Sequence, residues 1–419
     1  MVMQSVAVSI GDALRFGRTL STPQAHFRET IGWLRRAQDA IDGGVSYGYA
    51  LPSIRAPRRH GWLAAYPETT GYIICTFLDH FAWSGEAESR ERALRLADWE
   101  VDVQMTDGAV SAGPLGAPPA PAIFNTGQVL FGWSAAYAAS GDERLLAAAG
   151  RAADFLVKVQ DADGAWRLGS PFAHVGVHTY DARAAWGLLE AAQITGSHQH
   201  SEAAQRNLDF ALTQQAANGW FAECCISDSR RPLLHTIAYV IEGLLGAGTL
   251  ISEPRYVEAA RTAADALLLV QRPDGGLAGR FDRSWRPAAR WECLTGSAQT
   301  ALVWLRLFVL TGDRAYLSAA RRALTHLCRI QSLSAADPGV RGGLKGADPI
   351  WGAYQPYVYP NWASKFLADA LLLYIRIVGG HQDTASPAPP ADLTGGAVPG
   401  SRTASSRGAD APDTDAWSL

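Results

Sequence analysis

The stretch that decides the fold reads Gln160-Asp161-Ala162-Asp163-Gly164-Ala165-Trp166. It joins a glutamine at the end of a helical pattern to an Asp-Gly turn and an aromatic residue. Related turns begin at Gln38, Gln104, Gln160, Gln215, Gln271 and Gln331. The steps between successive turns are 66, 56, 55, 56 and 60 residues. A period near 56 residues indicates one supersecondary unit copied six times.

Two kinds of helix alternate between these turns. Amphipathic patterns with charges on one face run near 24–38, 88–104, 142–160, 200–215, 254–271 and 313–331. Nearly all-apolar patterns run near 69–83, 126–139, 180–195, 236–248, 295–311 and 361–378. A helix that is hydrophobic all round is buried on every side. We therefore predict an all-α protein, an (α/α)6 toroid over residues 23–379, whose six inner helices form the wall of a central cavity.

The two ends of the chain differ in composition from this array. Residues 1–22 are expected to form an irregular lead-in. Residues 380–419 are rich in Ser, Pro, Ala, Gly, Asp and Thr and have few large apolar side chains. Such a composition buries too little apolar surface to offset the entropy of ordering, so we expect this tail to be disordered.

Composition narrows the class of protein. Of 419 residues, 48% are hydrophobic, which supplies a large core, and the net charge of −3 argues against a nucleic-acid binder. The apolar stretches of 18 residues carry charges, and the first residues lack a signal-peptide pattern, so we expect no membrane span and a cytoplasmic location. The five cysteines follow no disulfide or zinc spacing, so we expect free thiols and neither a metal nor a cofactor.

The loops before the inner helices each carry a polar residue at the same position relative to the start of the helix. A threonine or asparagine recurs at Thr70, Thr126, Thr179, Thr236, Thr295 and Asn361. These residue types are good N-caps, and we expect them to cap the inner helices. The ring brings all six inner N-termini to one face, where their partial positive charges favour an anionic ligand.

Polar and aromatic side chains beside these positions predict a pocket, because they stand at the mouths of otherwise apolar helices. Aromatic rings stack on sugar faces, and arginine suits the binding of carboxylates. The candidate catalytic residues are Glu68, His178, Tyr180, Asp181 and Glu292. The candidate substrate-binding residues are Tyr66, Tyr72, Asn125, Gln128, Arg183, His235, Tyr239, Trp291, Gln299, Lys345, Tyr354, Asn361, Trp362 and Lys365.

Two chemistries fit these candidates; the sequence leaves both open, and the helix N-termini slightly favour the first. In lyase or epimerase chemistry, Tyr180 or His178 exchanges the proton beside a carboxylate that Arg183 or Lys365 neutralises. In hydrolysis, two carboxyl groups act as acid and base, and the separation between them sets the stereochemistry. The candidate pair is Glu68 with Asp181 or Glu292.

Several motifs resemble a family of bacterial α/α-toroid proteins associated with polysaccharide biosynthesis. They are Pro67-Glu68-Thr69-Thr70-Gly71-Tyr72, Asn125-Thr126-Gly127-Gln128, Leu294-Thr295-Gly296 and Tyr359-Pro360-Asn361-Trp362-Ala363-Ser364-Lys365-Phe366. The ring is also similar to six-hairpin glycosidases and to the toroid domains of glucuronyl C5-epimerases and polysaccharide lyases. Together with the polar, arginine and aromatic side chains of the loops, this resemblance predicts a carbohydrate-active enzyme that acts on an acidic, uronate-containing glycan, with polysaccharide-assembly enzymes as partners.

Two rival functions belong to other classes. The stretch from Gln160 to Trp166 matches the Gln-x-x-x-Gly-x-Trp motif of terpene cyclases and protein prenyltransferases, where it joins helices. The Asp-rich motifs that act on isoprenoids are absent, and an enzyme of that class predicts a mainly apolar cavity with a lone acid. A non-catalytic glycan-binding protein, in contrast, predicts no pair of titratable groups that cooperate.

Overall fold

The computed structural model describes residues 8–9, 20–53, 59–167 and 176–380. Most of the predicted lead-in and the predicted tail from residue 381 onward lie outside these residues. The helices of the described ranges are α1 Pro23–Asp39, α2 Pro67–Ser84, α3 Ala87–Asp102, α4 Ile123–Ser140, α5 Glu143–Lys158, α6 Ala182–Thr195, α7 His198–Thr213, α8 Leu234–Leu250, α9 Pro254–Val270, α10 Leu294–Thr311, α11 Arg314–Ile330 and α12 Asn361–Gly380.

The even-numbered helices form a closed inner ring. Each packs against the next in the order α2, α4, α6, α8, α10 and α12, and α12 packs back against α2. Helices α3, α5, α7, α9 and α11 each lie behind the inner helix that precedes them, whereas α1 lies behind α12. The predicted (α/α)6 toroid is confirmed, and its sixth hairpin joins the first and last helices of the array.

Glycines allow the inner helices to approach one another closely. A Cβ atom added to Gly132 on α4 would lie 2.2 Å from the carbonyl oxygen of Gly71 on α2. A Cβ atom on Gly187 of α6 would lie 2.1 Å from the carbonyl oxygen of Gly127 on α4. No side chain fits at such distances, so the Thr-Gly steps of the sequence mark contacts between neighbouring inner helices.

The repeated glutamines connect each hairpin to the next. The Gln160 amide donates hydrogen bonds to the carbonyl oxygens of Gly164, at 3.0 Å, and Ala203, at 2.8 Å. The Arg206 guanidinium in turn donates to the Gln160 side-chain oxygen at 2.7 Å. Gln271 repeats the arrangement. Each such glutamine therefore joins its own turn to the following outer helix.

The prediction that these threonines cap the inner helices is wrong. The Thr126 hydroxyl lies within the first turn of α4, where it donates to the Ala122 carbonyl at 2.7 Å. It also accepts a 2.9 Å hydrogen bond from the backbone N–H of Val110, and Thr70 does the same for Val45. No N-cap side chain bonds the first turn of α2, α4, α6, α8 or α10. These threonines instead hold the preceding loop against the helix.

Short strands at the mouth of the ring were not predicted. Strand β1 (Gly48–Ala50) pairs antiparallel with β2 (Gly61–Trp62) and with β5 (Val358–Pro360). Strands β3 (Glu292–Cys293) and β4 (Ala347–Asp348) form a second antiparallel pair. The first sheet brings the loop after α1 against the loop before α12, so it closes the ring across its two ends.

Helix α10, Leu294–Thr311, is long and apolar enough to span a membrane by length and composition, with a mean hydropathy of 1.2. It is also an inner helix of the ring, and 72% of it is buried inside the protein. Its position between α8 and α12 accounts for the apolar composition without a bilayer.

The cysteines are free thiols, as the sequence predicts. Cys224, Cys225, Cys293 and Cys328 are buried, and Cys75 is half-buried. Within the described ranges, no three His, Cys, Asp or Glu side chains are grouped in a way that would hold a metal ion.

Replacing Gln160 with alanine is expected to lower the free energy of unfolding by about 2 kcal/mol, because the Gly164 and Ala203 carbonyls lose their donor. Denaturant unfolding measures this change. Gln193, which is exposed on α6, provides the matched control, and its replacement with alanine should change stability by less than about 0.5 kcal/mol. Equal effects of the two substitutions would contradict the connecting role of Gln160.

Candidate active site

A cavity opens where the inner helices begin. It contains about 830 Å³ of empty space, counted out to its solvent-exposed mouth. The first turns of α2, α4, α6, α8 and α12 contribute to its wall, together with the loops between hairpins. The lining residues are Tyr47, Tyr66, Glu68, Ile123, Phe124, Asn125, Trp166, His178, Tyr180, Asp181, Ile226, His235, Thr236, Tyr239, Tyr354, Gln355 and Trp362.

The structure brings about half of the predicted site residues to this cavity. Those on its wall are Tyr66, Glu68, Asn125, His178, Tyr180, Asp181, His235, Tyr239, Tyr354 and Trp362. Those placed elsewhere are Tyr72, Gln128, Arg183, Trp291, Glu292, Gln299, Lys345, Asn361 and Lys365. The cavity therefore lies at the end of the ring where the inner helices begin, but several polar residues near it have structural partners.

Aromatic rings form two groups on the wall. In the first, the Tyr47 ring meets the Trp362 ring edge-on, with centroids 4.7 Å apart. In the second, the Phe124 ring lies 5.2 Å from Tyr180 and 4.8 Å from Tyr239. Such a wall offers apolar faces to a ligand and keeps polar groups between them, as a sugar ring requires.

Glu68 is the first acid of the cavity and lies in the first turn of α2. The Tyr66 hydroxyl donates a 2.5 Å hydrogen bond to the Glu68 carboxylate. Burial raises the pKa of Glu68 to about 7, while the Tyr66 hydrogen bond and the positive charge of Arg183 act in the opposite direction. Glu68 therefore exchanges its proton near neutral pH.

Asp181 is the second acid and stands at the start of α6. Its side chain is buried, at 3% exposure, and no described side chain donates a hydrogen bond to its carboxyl group. Burial alone raises the pKa of Asp181 well above its ordinary range. Burial therefore favours the protonated form of this carboxyl group, which faces the same cavity as Glu68.

Arg183 lies beneath the cavity and not on its wall, which corrects its predicted role as the partner of a substrate carboxylate. Its Nε donates to Glu242 at 3.1 Å, and its Nη1 donates to Gln128. The guanidinium carbon lies 5.0 Å from the Phe131 ring centroid and 5.2 Å from that of Tyr239. A side chain so enclosed forms the floor of the cavity.

Three other charged candidates also have protein partners away from the cavity. Lys365 pairs with Asp369, one turn along α12. Lys345 pairs with Asp348 at 2.7 Å and is buried. The Glu292 carboxylate pairs with the guanidinium of Arg272, and its other oxygen lies 2.7 Å from His326 Nε2. The predicted catalytic role of Glu292 and the predicted substrate contacts of both lysines do not agree with these positions.

The remaining candidates outside the cavity support its surroundings. Gln128 accepts from Arg183, and Gln299 bonds to His235. The Asn361 amide donates to the Ser46 carbonyl and to the Thr69 hydroxyl. The Tyr72 ring packs against Phe366, and Trp291 packs on Gly279. These residues hold the ring and its loops together.

Sequence reasoning missed two polar residues of the wall, Tyr47 and Gln355. The Gln355 amide donates a 2.7 Å hydrogen bond to the Tyr47 hydroxyl. Both residues come from irregular loops, and the antiparallel pairing of β1 with β5 sets their positions. The only sequence signal was the aromatic and glycine content of those loops, which does not indicate a side of the ring.

Comparison with known proteins supports the architecture. No family model matches the chain, and no curated protein matches it. An unsaturated glucuronyl hydrolase specific for heparin matches with a TM-score of 0.68 at 16% identity, over 85% of this chain and 98% of that one. The chain has the fold of these toroid enzymes.

Two further solved structures show the same toroid. The unsaturated glucuronyl hydrolase from Bacillus sp. GL1 matches with a TM-score of 0.65 at 16% identity, over 85% of this chain and 97% of that one. The cellobiose 2-epimerase from Bacillus thermoamylovorans matches with a TM-score of 0.66 at 9% identity, over 82% and 96%. At these identities the likeness concerns the fold.

The pKa of Glu68 is expected near 7 by carbon-13 NMR titration of its carboxyl group, because burial disfavours the charged form. This pKa exceeds that of the unfolded chain, so Glu68 favours the folded state most below about pH 4.5, and that contribution is lost as the pH rises through 7. Glu68→Gln should therefore raise the melting temperature more at pH 8 than at pH 4. A midpoint near 4.5 would contradict this account of the acid.

Proposed function

We propose that the protein is a carbohydrate-active enzyme that hydrolyses a glycosidic bond in a uronate-containing oligosaccharide or polysaccharide. The observation that carries this proposal is the presence of Glu68 and Asp181 on the wall of one aromatic cavity. Glycoside hydrolysis requires two carboxyl groups in different protonation states on either side of the scissile bond. The different surroundings of Glu68 and Asp181 give the two carboxyl groups different tendencies to hold a proton.

The pKa directions assign the two roles. Asp181, whose protonated form is favoured by burial, donates its proton to the leaving oxygen as the glycosidic bond breaks. Glu68 has a pKa of about 7 and a hydrogen bond from Tyr66 that stabilises its ionised form. The ionised Glu68 activates the water or attacks the sugar carbon, according to its distance from Asp181.

The positions of the cations favour hydrolysis over lyase or epimerase chemistry. Removal of a proton beside a carboxylate places a second negative charge on that group, and a nearby cation must stabilise it. Arg183 and Lys365 were the candidates for this task, but Glu242 and Asp369 neutralise them outside the cavity wall. Arg59 is exposed at the rim, where solvent and salt weaken its charge, and protonation by Asp181 needs no such cation.

The polar lining also favours a sugar over an isoprenoid. A cyclase-like site would be mainly apolar and would hold a lone acid, whereas this wall carries Glu68, Asp181, Asn125 and His235. A binding protein without activity would need no acids with raised pKa values. Such values are typical of catalytic sites, which supports an enzyme.

Three observations support a uronate as the substrate. The N-terminal turns of five inner helices surround the cavity, and their partial positive charges favour an anion. The Arg59 guanidinium lies 6.0 Å from the ring centroid of Tyr47, at the rim. Unsaturated glucuronyl hydrolases share the fold. We place the sugar carboxylate at this rim.

The proposal extends to the surroundings in which the enzyme acts. The motif resemblance to proteins of polysaccharide biosynthesis supports a cytoplasmic location and an association with polysaccharide-assembly enzymes. Co-purification of the protein with the glycosyltransferases of its own cells would test this association.

Proton NMR in heavy water, with the protein and a panel of uronate-containing glycans, tests the reaction. New reducing-end anomeric signals are expected, and Glu68→Gln or Asp181→Asn should lower the rate about 10²- to 10⁴-fold because each removes one proton-transfer group. Glu292→Gln is the matched control, and its rate should be unchanged. A new olefinic signal or deuterium at C5 would overturn hydrolysis, and binding without any reaction would support a glycan-binding protein.

The pH profile of the hydrolysis rate provides a second test. The rate should fall as the pH drops below about 7, because Glu68 must be ionised to act. Tyr66→Phe removes the hydrogen bond that stabilises the Glu68 carboxylate, so the midpoint of this acidic limb should move to higher pH. A limb that stays in place in Tyr66→Phe would show that Glu68 does not govern the rate.

A further inference from the structure

A chain of buried polar side chains connects the floor of the cavity to its wall. Glu242 Oε2 accepts hydrogen bonds from Arg183 Nε and from Gln299 Nε2, both at 3.1 Å. Gln299 Oε1 in turn lies 2.6 Å from His235 Nδ1. Glu242 and Gln299 are at most 1% exposed, whereas His235 lines the cavity. The chain therefore ends on a residue that a ligand can reach.

The ion pair with Arg183 decides which way the Gln299 amide points. Glu242, paired with the guanidinium, is a carboxylate and can only accept hydrogen bonds. The Gln299 NH₂ group must face it, because a carbonyl oxygen there would meet a negative charge. The Gln299 carbonyl oxygen must then face His235, and it can only accept as well.

These constraints determine the tautomer of His235. Its Nδ1 must carry a proton, since it faces an acceptor. A second proton on the ring would place a positive charge in a buried site near Arg183. Burial opposes that charge most strongly, and the positive charge of Arg183 also opposes it. The pKa of His235 is therefore lowered to about 4. In the neutral ring, Nε2 has no proton, and among the described residues it has no partner.

We propose that Glu242 and Gln299 are positioning residues that hold His235 as the neutral Nδ1–H tautomer, so that its Nε2 accepts a hydrogen bond from a sugar hydroxyl. This inference rests on the proposed function and adds to it the orientation of the substrate. The Nε2 lone pair repels a carboxylate and binds a hydroxyl, so the hydroxyl-bearing edge of the sugar faces His235. The uronate carboxylate then faces the rim, where Arg59 lies.

The rings beside His235 are consistent with this contact. The Tyr239 centroid lies 4.3 Å from the His235 centroid, and the Tyr354 centroid lies 5.5 Å away. Tyr354 itself accepts a 2.8 Å hydrogen bond from the Trp362 indole nitrogen. These partners restrict rotation of the imidazole, so its acceptor nitrogen keeps one direction.

Nitrogen-15 NMR of the imidazole groups in the full-length protein at pH 7 tests the tautomer directly. His235 should show a protonated Nδ1 and an unprotonated Nε2, and addition of a bound glycan should shift the Nε2 signal. His26 provides an internal control, since its Nδ1 also lies 2.7 Å from a glutamine oxygen, that of Gln331, but it is on α1 behind the ring. A proton on Nε2 of His235 in the wild-type protein would overturn the inference.

Substitutions separate positioning from simple support of the fold. Gln299→Met keeps the volume but removes the acceptor, so the Nδ1–H tautomer of His235 should lose its preference and the glycan should bind about tenfold more weakly, as loss of one hydrogen bond predicts. The His26 signals should not change. If His235→Phe binds the glycan as tightly as the wild type, the hydroxyl contact is wrong.

The two proposals fail in different ways. If no uronate-containing glycan binds, the proposed function falls together with the hydroxyl contact, but the tautomer of His235 is still decided by the spectrum of the free protein. If hydrolysis depends on Glu68 and Asp181 while His235 is protonated on Nε2, the function stands and only this inference is wrong.

Discussion

The structure depends on how the space at the centre of the inner helical ring is filled. Six apolar helices arranged in a circle leave a space that side chains must fill, and Arg183 occupies it, bonded to Glu242 and Gln128 and enclosed by aromatic rings. A buried ion pair adds little net stability, but loss of one partner leaves an uncompensated buried charge. The pair therefore holds α4, α6 and α8 in one relative position and forms the floor on which the cavity rests.

This arrangement separates charges by depth. Arg183 forms the floor and is paired with Glu242, the two acids with raised pKa values are on the wall, and Arg59 is at the rim. The low polarity of the aromatic wall raises the pKa of both acids, and the hydrogen bond from Tyr66 together with the Arg183 charge distinguishes Glu68 from Asp181. The same burial lowers the pKa of His235. One apolar environment thus raises the pKa of two acids and lowers that of a histidine.

Much of the architecture was predictable because periodicity is a local property. The turn around Gln160 recurs with each hairpin, and helices that are apolar all round can only be buried, so the ring and the face with the cavity followed from the sequence. The threonines of the first turns show where this reasoning fails. Their residue type suggested N-caps, yet Thr126 accepts from the Val110 backbone in a loop that no sequence pattern positions. Residue type indicates what a side chain can bind, but the fold determines what is near it.

The sequence by itself determined the six-fold helical array and the set of polar residues at one end of the ring. The tertiary structure alone decided which of those residues face the cavity. Arg183, Lys365 and Glu292 have the chemistry of site residues, but each is paired with another side chain of the protein, namely Glu242, Asp369 and His326. Tyr47 reaches the wall only through the pairing of β1 with β5. The reason is physical: a charge in an apolar interior must be paired, and pairing is set by distances in space that spacing along the chain does not contain.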